Sequence, residues 1–95
     1  MRTPYDADGL AAALRALPAW SGTTDRISRT VLADAPTTAR VRSEVAEAAD
    51  ALDHHPVVED VDGGTRFVLW THSRGAVTEL DTALAASIDA VVDGL

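Results

Sequence analysis

The chain has 95 residues, a formal net charge of −7, no cysteine, and eight basic residues, all of them arginine. That length suits one domain with one core, the absence of cysteine excludes disulfides and thiolate metal sites, and an acidic balance with dispersed arginines argues against a nucleic-acid backbone as partner. The N-terminus lacks the basic stretch and apolar run of a secretory signal, and no segment approaches membrane-spanning length, so a cytoplasmic protein without membrane contact is expected. Alanine supplies much of the 46% hydrophobic content and aromatics only 4%, which predicts a core thin in large side chains and a homo-oligomer.

In chain order, Thr3 as N-cap, Pro4 in the first turn and Asp6 three residues past the cap predict a helix carrying Leu10, Ala13, Leu14 and Leu17 at helical spacing, ended by Pro18. Trp20 lies just beyond, before the turn-like Ser21-Gly22-Thr23-Thr24, and Arg26 to Leu32 is rich enough in β-branched residues to form a strand. These two short pieces predict a hairpin. Asp34-Ala35-Pro36 opens a second helix with Val41, Val45, Ala48, Ala49 and Leu52 on one stripe. It ends near Leu52, because Pro56 disfavours helical geometry at His55. Val57 to Val61 and Thr65 to Thr71 flank Asp62-Gly63-Gly64, a hairpin signal. Thr78-Glu79-Leu80-Asp81 is a capping box for a last helix with Leu80, Leu84, Ala85, Ile88, Val91 and Val92 as its apolar stripe. Hairpins imply antiparallel pairing, and three one-sided helices need a sheet face to cover. The class is α+β, a single domain over residues 1–95.

The three histidines are His54, His55 and His72. If Gly63 and Gly64 are the hairpin loop, His55 faces His72; if the loop is Asp62-Gly63, His72 faces Asp53. Directly opposed Cβ atoms lie roughly 4.5–5.5 Å apart, so either register brings His72 to the Asp53-His54-His55 corner. Three imidazoles could bind zinc, but adjacent histidines on extended chain point apart, and the zinc motif of two histidines on successive helical turns is missing. General acid–base chemistry is the other reading, because imidazole donates and accepts protons near neutrality. Asp50, one helical turn before His54, could orient that ring, as could Asp53 or Asp81. No cysteine, no serine in a sharp glycine elbow and no glycine-rich phosphate loop is present. Proton transfer without covalent or cofactor chemistry remains: an isomerase, dehydratase or similar lyase.

The element order, Trp20 after the first helix, Asp50-x-x-Asp53-His54-His55-Pro56, Thr71-His72 at the next strand end and Thr78-Glu79-x-Asp81 opening the last helix together resemble the pterin-4a-carbinolamine dehydratases, over about Leu10 to Val92. The resemblance implies a four-stranded antiparallel sheet with three helices on one face, assembled as homodimer or homotetramer. It implies a hydro-lyase that converts 4a-hydroxytetrahydropterin to quinonoid dihydropterin with neither metal nor other cofactor. His54 and His72 would be the acid–base pair and His55 would help position the pterin. Asp50 stands where the family usually has glutamate and Asp81 matches a family aspartate; with Asp53 they would orient histidines or bind the pterin. Trp20 matches a family tryptophan near the pocket, although a core aromatic explains it equally. The pattern is broken at Thr30, Leu32, Ala35, Ala39 and Val41, where the family commonly has phenylalanines in the second strand and following helix. It is broken again at Val58, in place of an aromatic, and at Leu80, in place of an arginine. A different class stays open: a non-catalytic relative acting through protein–protein contacts.

Overall fold

The computed structural model describes residues 3–95. Its elements are α1 (Ala7–Arg15), β1 (Ser21–Gly22), β2 (Ile27–Leu32), α2 (Ala35–Leu52), β3 (Val57–Val61), β4 (Gly64–Leu69) and α3 (Glu79–Asp93). The strands form one antiparallel sheet in the order β1-β2-β4-β3. Strand alternation gives the sheet its two faces. Ile27 and Val31 of β2 and Thr65, Phe67 and Leu69 of β4 are buried. Thr65 apart, they meet Leu10 of α1, Val41, Val45 and Ala49 of α2, and Leu84, Ala85 and Ile88 of α3 in one core. The predicted stripes of the last two helices thus face the sheet, their central residues buried and Ala48, Leu52, Leu80, Val91 and Val92 half-buried at the margins.

The first helix begins later than predicted. Asp6 is the N-cap, its carboxylate accepting the Gly9 N–H at 2.7 Å, so Thr3 and Pro4 lie outside the helix. The segment before it is tied down elsewhere: the Tyr5 N–H donates to the Val77 carbonyl at 3.0 Å and its hydroxyl meets that of Thr82 at 3.0 Å. Tertiary bonds to the start of α3 outcompete one more helical turn.

The β3–β4 hairpin adopts the second of the two registers. Val61 pairs with Gly64 and Val57 with Val68, leaving Asp62-Gly63 as the loop, with Gly63 at φ 78°. Gly64 belongs to the strand because the chain passes too close there for a side chain; a Cβ would stand 2.0 Å from the Val31 carbonyl oxygen. The ladder stops at Leu69 rather than Thr71, which instead bridges Ala76 across a tight turn. β1 and β3 are the edges, and Val57 and Val58 of β3 and Leu32 of β2 are exposed.

α2 starts as predicted, with Asp34 accepting the Thr37 N–H at 2.9 Å. Hydrogen bonds from Thr37, side chain first and then backbone, hold the Asp34 carboxyl below its ordinary value of 3.8. A depressed carboxyl stabilises the fold above its unfolded pKa, and that contribution disappears as pH falls through the folded one. Wild type should therefore unfold at a higher temperature than Asp34→Ala at pH 7, with the gap closing as pH falls below 3.8. A gap independent of pH in thermal melts would contradict this.

Candidate active site

The corner between α2 and β3 is where the site is built. Pro56 bars helix at His55, and α2 closes with Asp53 in left-handed geometry (φ 49°, ψ 43°), the one non-glycine residue with positive φ among those described. The His54 N–H then reaches back to the Ala49 carbonyl at 3.0 Å, a closure that usually employs glycine or asparagine. Aspartate tolerates it at a cost of roughly 1–2 kcal/mol. This one reversal sends successive histidines in different directions.

His54 points to α3, where its Nε2 lies 2.5 Å from Asp81 Oδ1. Asp81 is fully buried. Its other oxygen accepts from the Thr71 hydroxyl at 2.9 Å and from the Thr78 N–H at 2.9 Å, and the Thr71 and Thr78 hydroxyls are 2.7 Å apart. Because Thr71 gives its proton to Asp81, Thr78 donates to Thr71, completing a short chain of hydroxyls. A carboxylate oxygen accepts, so in the tautomer that matches Asp81 His54 presents Nε2–H to it and keeps Nδ1 outside that bond. His55 turns the other way, back to Asp50 on the last turn of α2, with Nε2 at 2.7 Å from Oδ1. Both partners there are well exposed, at 57% and 75%, so that pair orients more than it stabilises. Of the three acids expected as partners for His54, Asp81 is the one that binds it, whereas Asp50 holds His55.

His72 follows Thr71 in the turn after β4, and its ring lies on Trp70 with centroids 4.1 Å apart and planes 7° from parallel. The register would set His72 opposite Asp53, although the ladder ends before reaching them. Asp53, His54, His55, Thr71, His72, Ser73 and Leu80 line one open cavity of about 410 Å³, within the 300–1,000 Å³ usual for small-molecule sites. A larger hollow of about 620 Å³ beside the start of α2 is walled mainly by alanines and glycines. Its charged groups, Arg42 and Asp60, are already paired with each other, so the smaller, histidine-lined cavity is the candidate site. Among the described residues, no three His, Asp or Glu side chains are grouped to hold a metal ion.

Trp20 is elsewhere. It is buried, and its indole N–H donates to Asp89 Oδ1 at 2.8 Å, an oxygen that also takes Arg29. Within one chain it does not line the cavity and serves packing between β2 and α3. Sequence reasoning missed the stacking of Trp70 on His72, for which the signal was available: residues i and i+2 of extended chain share a face.

A family model described as pterin 4 alpha carbinolamine dehydratase matches residues 3–91. The chain belongs to the pterin-4-alpha-carbinolamine dehydratase family. It is 42% identical over 81 residues to a protein of Nocardia farcinica provisionally named as such a dehydratase, covering 84% of this chain and 85% of that one. A similarly named protein of Mycobacteroides abscessus is 42% identical over 84 residues, or 86% of this chain and 88% of the other. A crystal structure titled as a transcriptional coactivator/pterin dehydratase from Brucella melitensis superposes with a TM-score of 0.88 at 30% identity, covering 94% of this chain and 98% of that one.

Thr71 is the test of the buried network. Thr71→Val keeps the shape but deprives Asp81 of a donor and the Thr78 hydroxyl of its acceptor. An orphaned buried polar group costs about 1–3 kcal/mol, so urea unfolding should show that loss with an unchanged m-value. An unchanged midpoint would contradict the network.

Proposed function

We propose that the chain is a hydro-lyase that dehydrates 4a-hydroxytetrahydropterins to quinonoid dihydropterins, with His54 and His72 as its acid–base pair. The observation that carries this is the gathering of three imidazoles at one small cavity, one of them bound to a fully buried carboxylate. Family membership supports the substrate class.

The reaction needs two proton transfers and no redox step. One histidine, as imidazolium, protonates the departing 4a-hydroxyl, so that the C–O bond breaks and water leaves. The other, as neutral imidazole, removes the ring N–H proton as the C=N bond forms. The pair ends with its protons exchanged, and an open cavity lets water reset it. His54 acts through Nδ1, with its Nε2–H anchored on Asp81. His55, tethered to Asp50, borders the same cavity and helps seat the pterin. Leu80 gives that cavity an apolar wall, which leaves Asp53 and Ser73 as further polar groups for the heterocycle.

General acid–base groups contribute about 10²–10⁴-fold each. Dehydration of freshly generated 4a-hydroxytetrahydropterin, followed by ultraviolet absorbance, should slow about a hundredfold in His54→Ala or His72→Ala. The double variant should be slower than either. Equal, small losses in all three would contradict the acid–base pair. No acceleration over buffer by folded wild type would favour a binding role through protein contacts, the reading that the coactivator half of the Brucella structure's title keeps in view.

A further inference from the structure

The three cavity histidines are not held alike. His54 is tied to Asp81 and His55 to Asp50, each through Nε2. The His72 ring makes no hydrogen bond to any of the described residues, and it stacks on Trp70. Its backbone is fixed well enough: the Thr71 N–H donates to the Ala76 carbonyl at 2.9 Å, and the Gly75 N–H to the His72 carbonyl at 3.2 Å. Nothing in that turn sets the two side-chain torsions of an exposed imidazole.

We propose that Trp70 is the positioning residue for His72, its indole fixing by stacking the ring that carboxylates fix for the other two histidines. This rests on the dehydratase reading. The arrangement suits a group that must both take and release a proton. A hydrogen-bonded anchor occupies one ring nitrogen, whereas a stacked anchor restrains the plane and leaves both nitrogens open to substrate and water. The stack is close, at 4.1 Å and 7°, and parallel rings in contact restrict tilt while permitting little else. Trp70 is itself steadied. The Arg26 guanidinium carbon lies 4.2 Å from the indole centroid, a cation–π contact that reaches it from the turn before β2. Because Ile27 pairs with Leu69, Arg26 and Trp70 are the next neighbours along that ladder. Arg26, Trp70 and His72 thus run from the sheet to the cavity mouth, and the indole is only half-buried, so its size is not demanded by the core.

The test combines spectroscopy and kinetics on the full chain. In wild type, the carbon-bound ring protons of His72, assigned by their loss in His72→Gln, should be shifted upfield by the indole ring current, with those of His55 unshifted. Trp70→Leu should abolish that shift and lower kcat about tenfold, since small misplacements of a reacting group are costly, with KM nearly unchanged. Trp70→Phe keeps a stacking face and should recover most of the rate. Unshifted His72 signals in wild type would overturn the proposal even if the leucine variant did not fold. So would an active enzyme indifferent to Trp70→Leu, or a phenylalanine variant as slow as the leucine one; in those cases the dehydratase reading stands. A folded, inactive wild type would instead sink that reading itself.

Discussion

A single buried carboxylate organises this small protein. Asp81 is fully buried and would be severely destabilising there without donors, because desolvating a charge costs several kcal/mol (on the order of 3–5 when a partner is missing). It has four sources of compensation: the Thr78 N–H that makes it half of the capping box of α3, the Thr71 hydroxyl at the end of the sheet, the Thr78 hydroxyl acting through Thr71, and the His54 ring from the α2–β3 corner. Three segments distant in sequence are thereby fixed to one point. The helix cap and the histidine's anchor are the two oxygens of one carboxylate, so the geometry of the site is set by interactions the fold needs anyway.

Around that point the cavity is assembled with few resources. Among the described residues, the core has only Phe67 and Trp20 as buried aromatics, with aliphatic side chains elsewhere, which leaves little bulk to enclose a pocket. The result is an open depression lined by the three histidines. One histidine is anchored by a buried acid, one by an exposed acid and one by an aromatic face. Left-handed Asp53 makes the first two diverge, and the bridge between Thr71 and Ala76 returns the third toward them. Where the family commonly carries arginine, Leu80 lies against the same cavity. The described residues thus place an apolar wall next to imidazoles, with no guanidinium among those that line the cavity.

Much of this was legible in the sequence, and the failures have physical causes. Periodicity and capping residues located α2 and α3 closely, because Asp34, Pro36 and the Thr78–Asp81 box are local signals that tertiary structure had no reason to override. The convergence of the histidines followed from hairpin arithmetic in either register. The choice between registers did not, because it turns on the close approach of Gly64 to Val31, a contact with β2 that no local pattern reveals. Thr3 looked like a cap only while Tyr5 had no tertiary partner. Asp81 is legible in the sequence as a capping-box acid, but its bond to His54 depends on the tertiary packing of α3 against the α2–β3 corner. Helical spacing left Asp50 as one of three candidate partners for His54, and that spacing stops applying once Asp53 leaves the helix, so Asp50 meets His55 instead.

The most direct measurement is a double-mutant cycle between His54 and Asp81, read in dehydration kcat/KM with Asp81→Asn, which retains an oxygen to accept the cap N–H. If Asp81 acts on the reaction through His54, Asp81→Asn slows wild type but adds little to His54→Ala, and the double variant is about as slow as His54→Ala alone. Losses that simply add would mean that Asp81 and His54 act independently, and would contradict the claim that one buried carboxylate serves both the fold and the site.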